Sequence, residues 1–149
     1  MPDPLEVAVE AAREGGRVLM RRFGSLRPAQ MRKKGKYDWV TDSDRAAEKA
    51  ILRVIRRAFP AHSVMAEESA PGGGSHPWQW LVDPLDGTVN YMHRFPMFAV
   101  SVAVAQNGTL EAGVVFDTLR NELFTALRGH GARRQPGSAA GPVTVEPFP

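Results

Sequence analysis

The sequence contains no cysteine. Disulfide bonds and thiolate metal ligands are therefore excluded, and any bound metal must be held by oxygen or imidazole. The sequence also lacks an apolar run near the ~20 residues that a membrane-spanning helix needs, and its acidic start, Met1-Pro2-Asp3-Pro4, does not resemble a signal peptide. We expect a cytoplasmic protein with no membrane partner.

Neither sign of charge dominates the sequence. Nineteen Lys and Arg against sixteen Asp and Glu give a formal charge of +3, which is too little to indicate a nucleic-acid partner unless the basic residues share one surface. Two clusters stand out, Arg32-Lys33-Lys34 with Lys36, and Arg53 with Arg56-Arg57. Such clusters are usually solvated faces, although a phosphorylated substrate would also interact with them. We therefore do not expect nucleic acid as a partner.

Apolar residues at helical spacing predict two amphipathic helices in a chain that is long enough for one domain with a core. The first covers residues 5–23 and ends near Gly24. The second follows the capping candidates Thr41-Asp42-Ser43-Asp44 and ends at Pro60.

Several β-rich runs predict a mainly antiparallel sheet. The runs are residues 62–66, 78–82, 98–106, 110–117 and 121–127. Asn107-Gly108 is a strong hairpin signal between the third and fourth run. Residues 29–40, broken by Gly35, predict a strand or hairpin, and the composition after Gly131 predicts a loosely structured tail.

Acidic residues follow two of the predicted strands. Asp83 and Asp86 lie on either side of Pro84, and Glu67 follows the preceding strand. Carboxylates brought to one sheet edge suit Mg²⁺, which keeps several water ligands for a substrate. Gly87 and the helix predicted after it would let backbone amides approach a phosphate.

Each of these features also has a purely structural interpretation. Asp-Pro-Leu-Asp-Gly is a common turn composition, and Glu67-Glu68 alone is typical of a solvated loop. Acids such as Asp44 at a helix start complement the helix dipole. The four histidines show no metal-ligand spacing and are expected to be surface or packing residues; they are His62, His76, His93 and His130.

A longer segment resembles the signature of the inositol monophosphatase family. It comprises Trp80-Leu81-Val82-Asp83-Pro84-Leu85-Asp86-Gly87-Thr88-Val89-Asn90-Tyr91 and continues with His93-Arg94-Phe95-Pro96 and Ala99-Val100-Ser101. Two further elements stand in the family's order. They are Asp38-Trp39-Val40-Thr41 with Asp44 before the second helix, and Glu67-Glu68-Ser69 after a strand.

The resemblance implies which residues bind metal. The Mg²⁺ ligands would be Glu67, Asp83, Asp86 and the Leu85 carbonyl. Glu67 would also position the attacking water. Lys33 stands at the family's lysine position near the metal site, on a hairpin, and its neighbours Lys34 and Lys36 leave that assignment open.

The resemblance also implies residues for the water and the phosphate. Asp44 and Thr88 would pair to orient or activate the attacking water. The backbone amides of Gly87 and Thr88 would hold the phosphate. Two or three Mg²⁺ ions, Li⁺ as an inhibitor and a homodimer are implied as well.

The fold implied is α+β, the N-terminal portion of the layered α/β sandwich of the inositol monophosphatase and fructose-1,6-bisphosphatase type, with two helices and a mainly antiparallel sheet. The reaction implied is Mg²⁺-dependent hydrolysis of a small phosphate ester, inositol monophosphate or a related sugar phosphate, by in-line attack of an activated water. The alternatives are a bisphosphate nucleotidase or fructose-bisphosphatase of this fold. From a different class comes a non-catalytic binding or assembly module.

The resemblance covers residues 5–132. Family members continue into a second α/β half, which supplies one more metal-ligand aspartate and most residues that recognise the alcohol. We therefore divide the chain into a family-like N-terminal domain, residues 1–132, and a divergent tail, residues 133–149. We expect a truncated or frame-shifted form, with an uncovered apolar face and reduced activity.

Overall fold

The computed structural model describes residues 1–25, 29, 31–33, 39–69, 74–136 and 146–147. The elements in chain order are α1 (Pro4–Arg22), β1 (Met31–Lys33), β2 (Trp39–Thr41), α2 (Asp42–Ala58), β3 (Ser63–Ala66), β4 (Trp78–Asp86), α3 (Thr88–Met92), β5 (Ala99–Gln106), β6 (Thr109–Asp117), β7 (Glu122–Leu127), β8 (Gly131–Gln135) and β9 (Glu146–Pro147). The predicted α+β class is confirmed. In the described ranges, no helix is long and apolar enough to cross a bilayer.

Both long helices begin at polar capping residues. The Asp3 carboxylate accepts a hydrogen bond from the Leu5 amide at 2.8 Å at the start of α1. The Thr41 hydroxyl accepts from the amides of Ser43 and Asp44, at 3.2 and 3.3 Å, at the start of α2. These bonds satisfy amides that have no partner within the helix, so local sequence fixes where each helix starts.

Seven strands form one sheet in the order β3-β4-β5-β6-β7-β8-β9. β3 pairs with β4 in parallel, and the following neighbours pair antiparallel. The predicted hairpin between β5 and β6 is confirmed, with positive φ angles of 50° at Asn107 and 78° at Gly108 that a type I′ turn needs. β1 and β2 form a separate antiparallel pair, as predicted for residues 29–40, and Gly35 lies outside the described residues.

The end of the sheet differs from the sequence prediction. Residues 131–135 form β8, which pairs with β7, and the short β9 pairs with β8. The expectation of loose structure directly after Gly131 is therefore wrong for these residues. The residues of β8 are mostly exposed and carry no apolar period, because backbone pairing to the edge of β7 does not require one. The domain boundary at residue 132 stays a prediction.

The two long helices cover one face of the sheet. α1 packs on α2 and contacts β5 and β6, and α2 contacts β4. Alternate strand residues point into this layer and are buried with the inward residues of the helices. The largest buried side chains of this core include Trp80, Val100, Val102, Val104, Leu19, Ile51 and Ile55.

The opposite face of the sheet carries the alternate residues. Ala103, Gly113, Val115 and Phe124 line a shallow depression there. Val115 is 42% exposed and Leu110, at one end of the face, is 58% exposed. Apolar side chains on this face are thus open to solvent, as we expected for one face of the sheet.

Gly16 lets α1 approach the sheet closely. A Cβ atom at this position would lie 2.6 Å from Cε1 of Phe116, a ring that is itself buried. We expect Gly16→Ala to destabilise the fold by about 1–3 kcal/mol, because a packed core cannot yield enough space. Urea unfolding measures the difference. Gly113→Ala is the matched control, since nothing lies within 4 Å of its Cβ position, and equal stability of the two variants would refute the close approach.

Candidate active site

Glu67 and Asp83 come together where β3 ends beside β4. Ala66 lies opposite Val82, and the Glu67 amide donates a hydrogen bond to the Val82 carbonyl at 3.0 Å. Because the two strands are parallel, the residues that follow Ala66 and Val82 lie next to each other. The carboxyl groups of Glu67 and Asp83 lie close enough to interact directly. A hydrogen bond between two carboxyl groups needs a proton on one of them.

The pKa of Asp83 is raised from 3.8 to about 8. Burial is the largest cause, followed by the hydrogen bond and the negative charge of Glu67, and the charge of Asp86 adds a smaller effect. The Leu85 amide, which donates to Asp83 Oδ1 at 3.1 Å, acts in the opposite direction. The pair therefore holds a proton at neutral pH, at a place where a cation could replace it.

A bulge separates Asp83 from Asp86 along β4. The register against β5 shifts between these two residues, with Asp83 opposite Ser101 and Asp86 opposite Ala99. Pro84 lies inside the bulge and is fully buried, and it has no amide to lose from the sheet ladder. The bulge redirects the chain, so that Asp83 is half-buried while Asp86 is exposed.

Asp44 and Thr88 are joined by a hydrogen bond between two different layers. Asp44 lies in the first turn of α2 and is fully buried. Its Oδ2 accepts from the amide and hydroxyl of Thr41, and its Oδ1 accepts from the Thr88 hydroxyl at 2.9 Å. The Thr88 oxygen also lies 3.2 Å from the Leu85 carbonyl. One carboxylate thus caps a helix and fixes the hydroxyl that follows β4.

Burial raises the pKa of Asp44. The hydrogen bonds from Thr41 and Thr88 lower it in part, because they favour the ionised form. A carboxylate in such surroundings accepts a proton more readily than an exposed aspartate does. The arrangement is suited to taking a proton through the hydroxyl to which it is bonded.

Gly87 adopts a backbone conformation that favours glycine. Its φ angle is +95°, and it precedes the single turn of α3. A Cβ atom there would lie 2.9 Å from the Met97 carbonyl oxygen. Both observations require glycine at this position.

The remaining predicted site residues are a lysine on β1 and residues outside the described ranges. Lys33 ends β1, opposite Trp39, and is exposed. Lys34, Lys36 and Asp38 lie outside the described residues. In the part of the chain that the structure describes, no three His, Asp or Glu side chains are grouped closely enough to hold a metal ion. Glu67 and Asp83 therefore form the carboxyl pair of the candidate site. The negative charge of Asp86 adds to the raised pKa of Asp83.

Glu48 was not singled out from the sequence. It is buried on α2, one turn after Asp44, and its Oε2 accepts a hydrogen bond from the Glu68 amide at 2.7 Å. This contact ties the segment that carries Glu67 to α2. The spacing of four residues from Asp44 was the available signal, since it places both acids on one helix face.

His62 packs among aromatic side chains. His62 Nδ1 accepts from the Trp80 indole at 3.1 Å, and its ring stacks on Phe59 and Trp78. Burial and the neighbouring His76 lower its pKa. His62 thus has the packing role that we expected.

Known structures share this architecture. The extragenic suppressor protein suhB from Bartonella henselae matches with a TM-score of 0.81 at 42% identity, over 85% of this chain and 50% of that one. Inositol monophosphatase from Anabaena matches with a TM-score of 0.73 at 40% identity, over 87% of this chain and 46% of that one. The fold is therefore that of the inositol monophosphatases.

Sequence comparison gives the family. The Inositol monophosphatase family profile matches residues 2–144, beyond the range over which we noted the resemblance. The chain belongs to this family. It is also 45% identical to the Nus factor SuhB of Escherichia coli K12 over 130 residues. This alignment covers 87% of this chain and 49% of that protein. The chain spans about half the length of the curated relatives that it matches.

The Asp83 pair predicts an unusual dependence of stability on pH. A carboxyl whose pKa is about 8 when folded and near 3.8 when unfolded stabilises the fold fully below pH 3.8, and this stabilisation is lost as the pH rises to about 8. We expect this contribution to disappear in Asp83→Asn. Urea unfolding at successive pH values, without divalent cations, measures it. Asp117→Asn, in an ion pair with Arg120, is the control that should keep the slope; an unchanged slope in Asp83→Asn would contradict the pairing.

Proposed function

We propose that the chain carries the metal-binding and phosphate-binding part of a Mg²⁺-dependent phosphomonoesterase. Inositol monophosphate or a related sugar phosphate is the proposed substrate. The observation that supports this most strongly is the meeting of two carboxyl groups, Glu67 and Asp83, beside the hydrogen-bonded pair of Asp44 and Thr88. The shared family and the inositol monophosphatase among the similar structures agree with this chemistry.

The oxygen atoms of the carboxyl pair are the kind of ligand that a hard cation prefers. Glu67 and Asp83 offer oxygen ligands that repel each other unless a proton or a cation lies between them. Asp86 and the Leu85 carbonyl complete the proposed ligand set. When bound, Mg²⁺ supplies positive charge that offsets the phosphate dianion and lowers the pKa of the attacking water.

The Asp44–Thr88 pair is proposed to orient and deprotonate the attacking water. The Thr88 hydroxyl donates to Asp44 Oδ1, so its oxygen lone pairs remain available to accept a hydrogen bond from water. A proton that leaves the water can pass to Thr88 Oγ1 while the Thr88 proton passes to Asp44. The raised pKa of Asp44 favours that acceptance. Glu67 is proposed to hold the same water from the other side.

The turn at Gly87 is proposed to receive the phosphate. Its positive φ angle turns the backbone at the start of α3, and the missing side chain lets this turn pack closely against Met97 and Phe98. Backbone amides stabilise a phosphate without changing their own charge state.

A binding or assembly role is the second candidate. It is favoured by the name of relatives such as the SuhB protein of Escherichia coli K12, a Nus factor, and by the fact that the chain spans about half the length of that protein. The expected cytoplasmic location, the homodimer and the inhibition by Li⁺ are proposals under either candidate.

The phosphatase proposal predicts the effect of removing one hydroxyl. We expect Mg²⁺-dependent phosphate release from inositol monophosphate, and we expect Thr88→Val to lower kcat by about 10²–10⁴-fold, the range for losing a proton-transfer group. Phosphate release and the Mg²⁺-dependent shift in melting temperature are measured together. Thr109→Val, at an exposed threonine, is the matched control and should retain full activity.

Two results would favour the second candidate. One is a chain whose melting temperature does not respond to Mg²⁺ and which releases no phosphate from inositol monophosphate, fructose bisphosphate or phosphoadenosine phosphate. The other is an Asp86→Asn variant that behaves like the parent chain in both measurements. Ranking the three substrates also separates the inositol enzymes from the nucleotidase and fructose-bisphosphatase alternatives.

A further inference from the structure

Basic side chains line a groove on the outer side of α2. The groove has a volume of about 780 Å³, and its far wall is formed by Glu68 and Ser69 after β3. The cations that line it, all from α2, are Arg45, Lys49, Arg53, Arg56 and Arg57. The first three recur every four residues, so they lie along one face of the helix. Arg53, Arg56 and Arg57, which are close together in the sequence, thus share one surface with two further cations of α2.

Most of this charge has no ion-pair partner among the residues that the structure describes. Arg57 forms an ion pair with Glu10 at 2.6 Å. Among the described residues, no carboxylate forms an ion pair with any of the other four cations. The buried Glu48, which also lines the groove, accepts a hydrogen bond from the Glu68 amide. The groove therefore presents a surplus of positive charge.

The shape of the groove suits a chain of phosphates better than a single one. From Arg45 to Arg57 the stripe extends about 18 Å, because an α-helix rises ~1.5 Å per residue. Four of its five cations are arginines, whose planar guanidinium groups bind phosphate through two parallel hydrogen bonds. A small phosphate monoester would contact only a fraction of this length.

We propose that the α2 groove binds the phosphodiester backbone of a nucleic acid without reading its base sequence. The described residues that line it include no aromatic side chain on which a base could stack. Backbone contacts of this kind position a nucleic acid but carry no sequence information. The overall charge of +3 gave no reason to expect this partner, and the localisation on one helix face now does.

A membrane surface fits the groove less well. Helices that bind in the plane of a bilayer insert an apolar face beside their basic residues. The apolar residues of α2, among them Ile51, Val54 and Ile55, are buried in the core instead. Leu52, which does line the groove, is only 8% exposed.

The proposal predicts how binding responds to charge removal and to salt. We expect the triple variant Lys49→Gln, Arg53→Gln, Arg56→Gln to lose at least about tenfold in affinity, and its slope of log K against log salt to become shallower by about 2–3, since each lost phosphate contact removes ~0.7–0.9. Fluorescence polarisation with labelled single-stranded RNA, duplex RNA and duplex DNA measures both. The best-bound of the three identifies the source of the backbone.

A charge-matched variant controls for general basicity. Arg120→Gln, Arg128→Gln, Arg133→Gln removes the same three charges from exposed positions around β6 to β8 and should bind as the parent chain does. Equal losses in the two variants, or unchanged binding in the groove variant, would overturn the proposal. Binding to phosphatidylserine vesicles, with none to nucleic acid, would also overturn it. The groove variant should keep its Mg²⁺-dependent phosphate release. A result against nucleic-acid binding can therefore be told apart from a result against the phosphatase proposal.

Discussion

The structure depends on one buried carboxylate, that of Asp44. It caps the first turn of α2 through Thr41 and holds the Thr88 hydroxyl at 2.9 Å, so it links the helical layer to the loop after β4. A charge with no exposure is costly unless its hydrogen bonds are satisfied, and here three donors from two elements satisfy it. Removing either partner would leave a buried acceptor, so the helix start and the candidate site are stabilised by the same contacts.

The carboxyl pair differs from Asp44, because two acidic groups are placed next to each other. Parallel strands hold Glu67 and Asp83 side by side. The hydrogen bond from the Glu68 amide to Glu48 joins the segment after β3 to α2. Burial raises the pKa of Asp83 to about 8, together with the hydrogen bond and the negative charge of Glu67. A fold that keeps two like charges together retains a local instability, which is common at functional sites.

Local signals in the sequence were enough to predict the helices, the hairpin at Asn107-Gly108 and the approach of Glu67 to Asp83. The strand that carries Asp83 continues to Asp86, beyond the predicted end at residue 82. Capping residues and turn residues act within a few positions, so a single sequence reveals them. β8 was missed because its pairing depends on the backbone edge of β7 rather than on an apolar pattern. Glu48 was missed because its role requires a partner, Glu68, that is distant in sequence.

α2 carries both buried acids and the basic side chains of the groove. Asp44 and Glu48 are both buried, and Glu48 also lines the groove with the basic side chains. Asp44 accepts hydrogen bonds from Thr41 and Thr88, and Glu48 accepts one from the Glu68 amide. Among the described residues, neither acid forms an ion pair with a cation of the groove. The proposed anion would bind to side chains of α2, whereas the proposed cation would bind to Glu67 and Asp83 at β3 and β4. Each site can be altered by substitution while the other is left in place.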